Sequence, residues 1–523
     1  MSRYVAGKRV PRPGIMRRIV AASGGEVRAD DFFPGADSGA DSGAAPGNTA
    51  AAPGNTATTA PRDPAATFRA AHPPDPAAAF RAAHPEIAAV DMLLCDMHGM
   101  LRGKRLAAGS LSKLFSGGVM MPGSTFALDV TGANVDATGI GMPDGDPDYV
   151  CRPVAGTLAT VPWAARPAAQ VLASMYHHDG RPFDLDPRHV LGRVAARFEE
   201  LGLRPVVALE LEFYLLDRER DAAGRPQPPV SPATGRRATD TQVFAIDDLE
   251  DASPVLDDIA QACAAQSIPA SVALAEYAPA QYEINLKHRP DPVAAGDHAV
   301  LLKRAVKGVA RRHGLEATFM AKPFAELSAN GLHIHVSLLD RDGRNAFDDA
   351  NDGGEERLRH AIGGLRATMA EAMAIFAPNA NSYRRYRPGT YAPMAPAWGY
   401  DNRTVALRVP AGRGAASRIE HRTAGADANP YLAAAAVLAG IHHGLARGLD
   451  PGPPTTGNAY EQHAASLPSH WLDALRGFDR AGVLAEYLGA DYCRVYLACK
   501  WREFEMFNAR VTPTEYDWYL RAL

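Results

Sequence analysis

The chain has 523 residues, 46% of them hydrophobic and 22% charged, with 55 basic against 59 acidic side chains and a formal net charge of −4. This is ordinary globular composition, and it excludes collagen-like, wholly disordered and strongly basic classes. A near-neutral balance provides no global field to draw the chain to nucleic acid or to an anionic membrane, so neither is an expected partner and any anion must be held locally.

Residues 1–33 form a basic arm (Arg3, Lys8, Arg9, Arg12, Arg17, Arg18) without the apolar stretch that a secretory signal needs. Residues 34–85 read as a disordered, low-complexity linker: from Pro34 to Ala66 every residue except Arg62 is Ala, Asp, Ser, Gly, Asn, Thr or Pro, so nothing large is available to bury. A tandem repeat closes the linker, Asp63–Pro73 followed by Asp75–Pro85, with the second copy nearer the folded body. Two copies are too few for a solenoid. The five cysteines (Cys95, Cys151, Cys263, Cys493, Cys499) contain no C-x-x-C, which points away from a disulfide framework or zinc ribbon and toward a reducing cytoplasm.

Regular structure is expected from Ile87, as a strand, a turn at Gly99 and a second strand through Arg105. Short strands continue to about Pro182. Helix-period stretches then alternate with strands: Val190–Leu201, Val255–Ala265, Ala294–His313, Leu358–Phe376 and Pro430–Ala446. The longest apolar run, Tyr431–Ile441, is far short of a membrane span and reads as a buried helix. A domain cut is expected near Gly180–Pro187.

Three strands combine an apolar face with a face of ligand-type residues. In Val207–Leu215 the odd positions are apolar, so Glu210 and Glu212 project side by side from the other face. Leu332, Ile334, Val336 and Leu338 alternate with His333, His335 and Ser337; Tyr282, Ile284 and Leu286 alternate with Gln281, Glu283 and Asn285. Together with Glu276 and Glu420 this is a carboxylate-rich set with little nitrogen and no sulfur, a mixture suited to Mg²⁺ or Mn²⁺ rather than structural zinc. Any one pair alone could equally be a solvated strand face.

Between Arg384 and Arg422 stand eight arginines (384, 385, 387, 403, 408, 413, 418, 422) against Asp401 and Glu420, a local balance of 8 − 2 = +6 with no lysine. The guanidinium fork matches carboxylate and phosphate oxygens in two-point contacts, so the run suits anionic ligands; a solvated, arginine-biased surface is the competing reading. Its Pro and Gly punctuation suggests loops lining a cleft. Gly99–Lys104 falls one residue short of a P-loop, and Gly139–Gly145 misses the dinucleotide spacing.

Taken in order from about Ile87 to Leu523, these pieces resemble the glutamine synthetase family. The resemblance is carried by Asp96-x-x-Gly99-x-x-Arg102-Gly103-Lys104, by Asn381-Ser-Tyr-Arg-Arg385 with Pro388-Gly389, and by Asn402-Arg403 and Arg408-Val-Pro410. Arg418-Ile-Glu420-x-Arg422 and Ala428-Asn-Pro-Tyr431-Leu complete it. It implies an α+β protein with an N-terminal β-grasp domain (86–182) and a catalytic domain (183–523) built on a curved antiparallel sheet with flanking helices. It further implies an ATP-dependent ligase acting through γ-glutamyl phosphate, with two Mg²⁺ or Mn²⁺ per site. By family position Glu212, Glu276 and Glu283 would hold one metal, and Glu210, His333 and Glu420 the other. His335, Ser337, Arg403 and Arg418 would contact ATP. Arg385 and Arg422 would grip glutamate, Arg408 would lie near the transferred phosphate, and Arg403 and Arg408 would be the catalytic pair. A dodecamer of two hexameric rings is the family's assembly.

The departures indicate the acceptor. Tyr391 stands two residues after Pro388-Gly389, where glutamine-forming members carry an acid that deprotonates ammonium; a tyrosine, with a pKa near 10, cannot replace it as an anion. Phe126-Ala-Leu-Asp129-Val-Thr-Gly132 replaces the ammonium segment and resembles that of γ-glutamylamine ligases, with Asp129 placed near the amine of a neighbouring subunit. Ser328-Ala329 replaces the family's Asn-Gly, leaving the Ala329 backbone carbonyl to meet glutamate. Tyr391, with Tyr383, Tyr386 and Trp398, could frame a larger amine or simply pack as core. The expected function is therefore ligation of L-glutamate to a polyamine, monoamine or ethanolamine. A glutamine synthetase using ammonium and a catalytically silent scaffold are the alternatives.

Overall fold

The computed structural model describes residues 76–523 except 232 and 241; the basic arm, the linker to residue 75 and the first repeat copy lie outside the described residues. The second copy is not linker. Pro76–Ala83 is an alanine-rich helix whose Ala77 is buried and whose Phe80 packs against the core, so the folded body includes about ten residues before Glu86. Alanine has the strongest helix propensity, and the single aromatic supplies the anchor.

Six strands follow: β1 (Ala89–Cys95), β2 (Leu101–Ala107), β3 (Val119–Pro122), β4 (Asp148–Pro153), β5 (Ala159–Thr160) and β6 (Ala168–Tyr176). They form a mixed sheet in the order β2-β1-β6-β4-β3, with β5 on β6 and β1 parallel to β6. The short helix Leu111–Gly117 lies beside β4, and its Leu111 and Leu114 are buried. The expected strand–turn–strand at Gly99 is β1 and β2, paired antiparallel.

The second sheet is built from β7 (Arg204–Asp217), β8 (Ala270–Ala275), β9 (Gln281–Leu286), β10 (Leu315–Thr318), β11 (Leu332–Leu339), β12 (Trp398–Tyr400), β13 (Leu407–Val409) and β14 (Ile419–His421). Its order is β12-β13-β14-β11-β7-β9-β8, antiparallel except for the parallel pair β12–β13. At 14 residues β7 is long enough for β11 to pair with its first half and β10 with its last four residues. The arginine run expected to be loops thus contributes the last three strands at one side of the sheet, of three residues each, too short for alternation to be visible between their Pro and Gly neighbours.

Helices Pro187–Ala196, Ser253–Ala265, Pro292–Arg312, Gly354–Phe376 and Pro430–Arg447 match the five periodic stretches. The last is started by Asn429, whose side chain accepts from the Tyr431 and Leu432 amides, with Pro430 in the first turn, and is stopped by left-handed Gly448. The same Asn429 donates its amide to the Asp96 carbonyl at 2.9 Å, tying this helix to the end of β1. Arg188 reaches Asp297 with two hydrogen bonds of 2.8 and 3.1 Å, joining helices Pro187–Ala196 and Pro292–Arg312, and Arg304 of the latter pairs with Asp91 of β1 at 2.9 Å, a charged link between the two sheet regions.

Helix Gly354–Phe376 crosses helix Pro430–Arg447 at a glycine contact. A Cβ on Gly364 would lie 2.0 Å from the Gly440 carbonyl oxygen and 2.4 Å from the Gly444 nitrogen. Neither backbone can yield without parting the helices. Gly364→Ala is therefore expected to lower the unfolding free energy by about 1–3 kcal/mol, the usual cost of overpacking, read as a lower urea midpoint at unchanged m-value.

Candidate active site

The site is a consequence of strand register. Across β7 and β11, His333 faces Glu210; across β7 and β9, Glu283 faces Glu212. Across β11 and β14, Glu420 faces His335, and β13 then sets Arg408 opposite Glu420. Opposed residues on one sheet face have Cβ atoms about 4.5–5.5 Å apart. Side chains from five strands are thereby brought together while the apolar faces of β7, β9 and β11 turn to the core.

Two trios emerge whose ligand-type atoms lie within 4.8 Å of one another, Glu210–His333–Glu420 and Glu212–Glu283–His333, with His333 common to both. His333 Nδ1 is 3.3 Å from Glu210 Oε2 and 3.9 Å from Glu420 Oε1. His335 Nε2 is 2.9 Å from Glu210 Oε1, a charge contact too poorly angled for a hydrogen bond. On its other side His335 Nδ1 accepts from Arg418 Nε at 3.2 Å. Glu212 Oε2 accepts from the Gly331 amide at 2.7 Å.

Glu276, one residue past β8, belongs to neither trio but feels Glu212. Burial, reinforced by the Glu212 charge, pushes its carboxyl up to about 8. Burial likewise raises Glu283 well above the carboxylate range, with Glu210, Glu212 and Glu276 adding repulsion. Glu210 moves the other way: burial opposes its ionisation, but the His333 hydrogen bond and the closeness of both imidazoles outweigh that and hold it low. Glu420, also opposed by burial, is held at about 2 by Arg422, the two imidazoles and Arg408.

The arginines converge on this acidic face. Arg408 spans Glu420 at 2.7 Å and Asp401 at 2.5 Å, and Arg422 donates to the other oxygen of Glu420. Arg385 donates to the carbonyls of Thr423 at 2.7 Å and Arg422 at 3.3 Å. A Cβ on Gly331 would meet Arg385 Nη2 at 2.9 Å, Glu212 Oε1 at 3.2 Å and His333 Nε2 at 3.4 Å, so only glycine lets these three approach. Arg403 is exposed and close enough to Glu276 to draw its pKa down. Ser337 shares the histidine face of β11 but stands opposite Val206, beyond the cluster. The Ala329 carbonyl accepts from Gln281 Nε2 at 3.0 Å. Asp129 is buried elsewhere, with one carboxylate oxygen accepting from the Thr131 and Ala133 amides of its own turn.

Of the four aromatics that could frame an amine or pack as core, three take the second role. Trp398 is fully buried, with its indole donating to the Gly452 carbonyl; Tyr383 and Tyr386 are buried with hydroxyls on the Met373 and Thr423 carbonyls. These three rings pack as core, and only Tyr391 of the group is exposed. Gly331, which admits Arg385, is not singled out by the sequence, and Gln281, whose amide also bonds buried Asn330 at 3.0 Å, is placed by it on the ligand-type face without a role. Gly331 carried a signal, a glycine two residues before His333; Gln281 carried none beyond sharing a face with Glu283.

A curved sheet presenting paired acids and imidazoles to clustered arginines defines a phosphoryl-handling ligase fold. The profile described as glutamine synthetase, catalytic domain, matches residues 184–519. The chain is 46% identical over 434 residues to the γ-glutamylputrescine synthetase PuuA of Escherichia coli K12, covering 83% of this chain and 91% of that one. It is 34% identical to the γ-glutamylethanolamide synthetase GlnA4 of Streptomyces coelicolor, covering 83% and 92%. A solved GmaS–ADP complex superposes with a TM-score of 0.74 at 28% identity, covering 85% of this chain and 99% of that chain. The chain belongs to the glutamine synthetase family, and within it is closely related to the γ-glutamylamine ligases.

Glu420 depends on both of its arginines. Arg422→Met would leave a buried carboxylate with one guanidinium partner, and the fold is expected to lose about 3 kcal/mol, measured by urea denaturation.

Proposed function

We propose that this chain is an ATP-dependent ligase joining the γ-carboxylate of L-glutamate to an organic amine, with a putrescine-type diamine as the favoured acceptor. The observation that carries this is an acid-and-imidazole face set against arginines, with Tyr391 rather than a carboxylate on the adjoining loop. In the reaction a γ-carboxylate oxygen attacks the terminal phosphorus of ATP and the bond to ADP breaks. The amine nitrogen then attacks the acyl carbon, phosphate leaves with its oxygen, and the nitrogen gives up a proton.

The donor set fits divalent cations. Glu276 and Glu283 are raised by burial and mutual repulsion, which is the charge imbalance that a dication would relieve. Glu212, Glu276 and Glu283 would hold one Mg²⁺ or Mn²⁺, and Glu210, His333 and Glu420 a second. Such ions supply charge neutralisation for the phosphates. The remaining work belongs to the arginines. The Nε atoms of Arg408 and Arg422 are buried without a partner, donors left over for an incoming anion. Arg403, with His335, Ser337 and Arg418, would position the nucleotide; Arg408 would face the transferred phosphoryl group; Arg385 and Arg422 would orient the glutamate carboxylates, with the Ala329 carbonyl at its amino group.

The proposal extends to a division at residues 182/183, to a two-ring dodecamer in which Asp129 serves a neighbouring site, and to the cytoplasm as compartment. Among the described residues no helix is long and apolar enough to cross a membrane.

Phosphate release with ATP and glutamate is expected to be at least about tenfold faster, by kcat/KM, with a diamine than with ammonium, since each methylene recognised is worth that order of discrimination. Ammonium as best acceptor would make the chain a glutamine synthetase, and full turnover in Glu210→Ala would make it a scaffold.

Cation binding is expected to be coupled to protons. Glu276, ionising only near pH 8, is protonated at pH 7 and must lose that proton when a dication binds. Mn²⁺ titration in two buffers of different ionisation enthalpy should show proton release at pH 7 that fades above pH 8. Glu276→Gln should diminish it.

A further inference from the structure

Three aromatic rings, one of them directly after Glu276, gather from parts of the sequence with no pattern in common. Phe244 is 55% exposed, and Tyr277 and Tyr391 are each 46% exposed. The Tyr277 and Tyr391 rings lie 6.0 Å apart between centroids at 34°, and Phe244 meets Tyr277 edge-on at 6.4 Å. Large rings normally cover one another in the core; three that touch while remaining open to solvent form a surface able to receive something.

Their backbones are held in place at a cost. Phe244 has φ of 62° and Tyr391 φ of 54°, left-handed values found at six non-glycine positions among the described residues. Such conformations are unfavourable for bulky side chains and persist where surrounding contacts enforce them, commonly at ligand clamps. The contacts are visible. The Phe244 amide donates to the Ala275 carbonyl at 3.0 Å, fixing that ring to the end of β8. Tyr277 follows Glu276 directly. On the other side, Thr390 Oγ1 donates to the Arg385 carbonyl at 3.2 Å and the Tyr460 hydroxyl to the Ala392 carbonyl at 2.9 Å, pinning the segment that carries Tyr391. The rings therefore bridge the strand that delivers Glu276 and the loop anchored on Arg385.

We propose that Phe244, Tyr277 and Tyr391 form an aromatic rim that selects the acceptor, holding the methylene chain and distal ammonium of an aliphatic diamine while its other nitrogen attacks. This rests on the glutamate–amine ligase reading and adds to it the residues that set the acceptor class. The chemistry suits the arrangement. The attacking nitrogen must be neutral, whereas the far nitrogen of a diamine stays protonated, and a cation over a tyrosine face gains about 0.5–2 kcal/mol. Chain methylenes laid against the rings gain about 0.8 kcal/mol each when fully buried. Ammonium has no chain to bury and no second charge.

The test compares 1,4-diaminobutane, n-butylamine and hydroxylamine as acceptors in the full-length chain, the last being an amine nucleophile with no carbon chain. In Tyr277→Ala and Tyr391→Ala the diaminobutane-to-hydroxylamine ratio of kcat/KM should fall by about 3–30-fold, the range spanned by one cation–π contact plus lost chain contact. The loss should appear as a raised KM for diaminobutane, with KM for glutamate and ATP little changed. Tyr277→Phe, which keeps the ring, should restore most of the ratio, and n-butylamine should respond less than diaminobutane. Equal losses with hydroxylamine, or an unchanged ratio in both alanine variants, would overturn the rim. Preference of the unaltered enzyme for ammonium would instead remove the amine-ligase reading itself, so the two failures are separable.

Discussion

Four carboxylates and two imidazoles converging on one sheet face constitute an electrostatic problem that the rest of the molecule is arranged to contain. Left alone, Glu210, Glu212, Glu283 and Glu420 would repel one another in a setting where burial already penalises charge. The structure divides the burden. Glu420 is neutralised by Arg422, just past its own strand, and Arg408 from the neighbouring strand, and Glu210 is held by His333 opposite it and His335 two residues on. Glu276 and Glu283 are instead raised by burial and by repulsion from neighbouring carboxylates, with Arg403 and Arg422 drawing Glu276 part of the way back. One half of the face is thus settled by the chain's own cations, and the other is left in need of them.

This asymmetry links fold to chemistry. The compensated half lies toward β13 and β14, where the arginines are; the uncompensated half lies toward β8 and β9. An incoming dication is favoured at the second half, and an anion at the unpartnered guanidinium nitrogens of the first. β7 holds the halves together because it supplies Glu210 to one and Glu212 to the other. A slip of one residue in its pairing would turn both acids into the core, so the apolar residues between them fix the register as firmly as any hydrogen bond.

Much of this was legible in the sequence, and the reason is periodicity. Strict alternation in β7, β9 and β11 places the acids and histidines on one face, and the long helices declare themselves by their apolar spacing. Where the signal is short it failed. β12, β13 and β14 have three residues each, below the length at which alternation can be distinguished from loop. The rings of Tyr383, Tyr386 and Trp398 could not be separated from Tyr391 by sequence proximity, because burial depends on which way each loop turns. Tyr277 and Phe244 were invisible for a related reason: their meeting with Tyr391 is set by turn geometry across distant segments. The helix at Pro76–Ala83 was mistaken for linker because its composition matches the tract before it, and only the packing of Phe80 distinguishes it.

The left-handed backbones at Phe244 and Tyr391 have a consequence for how this protein can change. Glycine or asparagine at either position would relax the main chain and gain thermal robustness, yet each removes a ring. Heat tolerance and discrimination among substrates therefore pull in opposite directions at the same two codons. A laboratory lineage selected only for survival at high temperature would drift toward small residues there and toward an indiscriminate catalyst; sequencing those codons across generations would reveal whether that drift occurs.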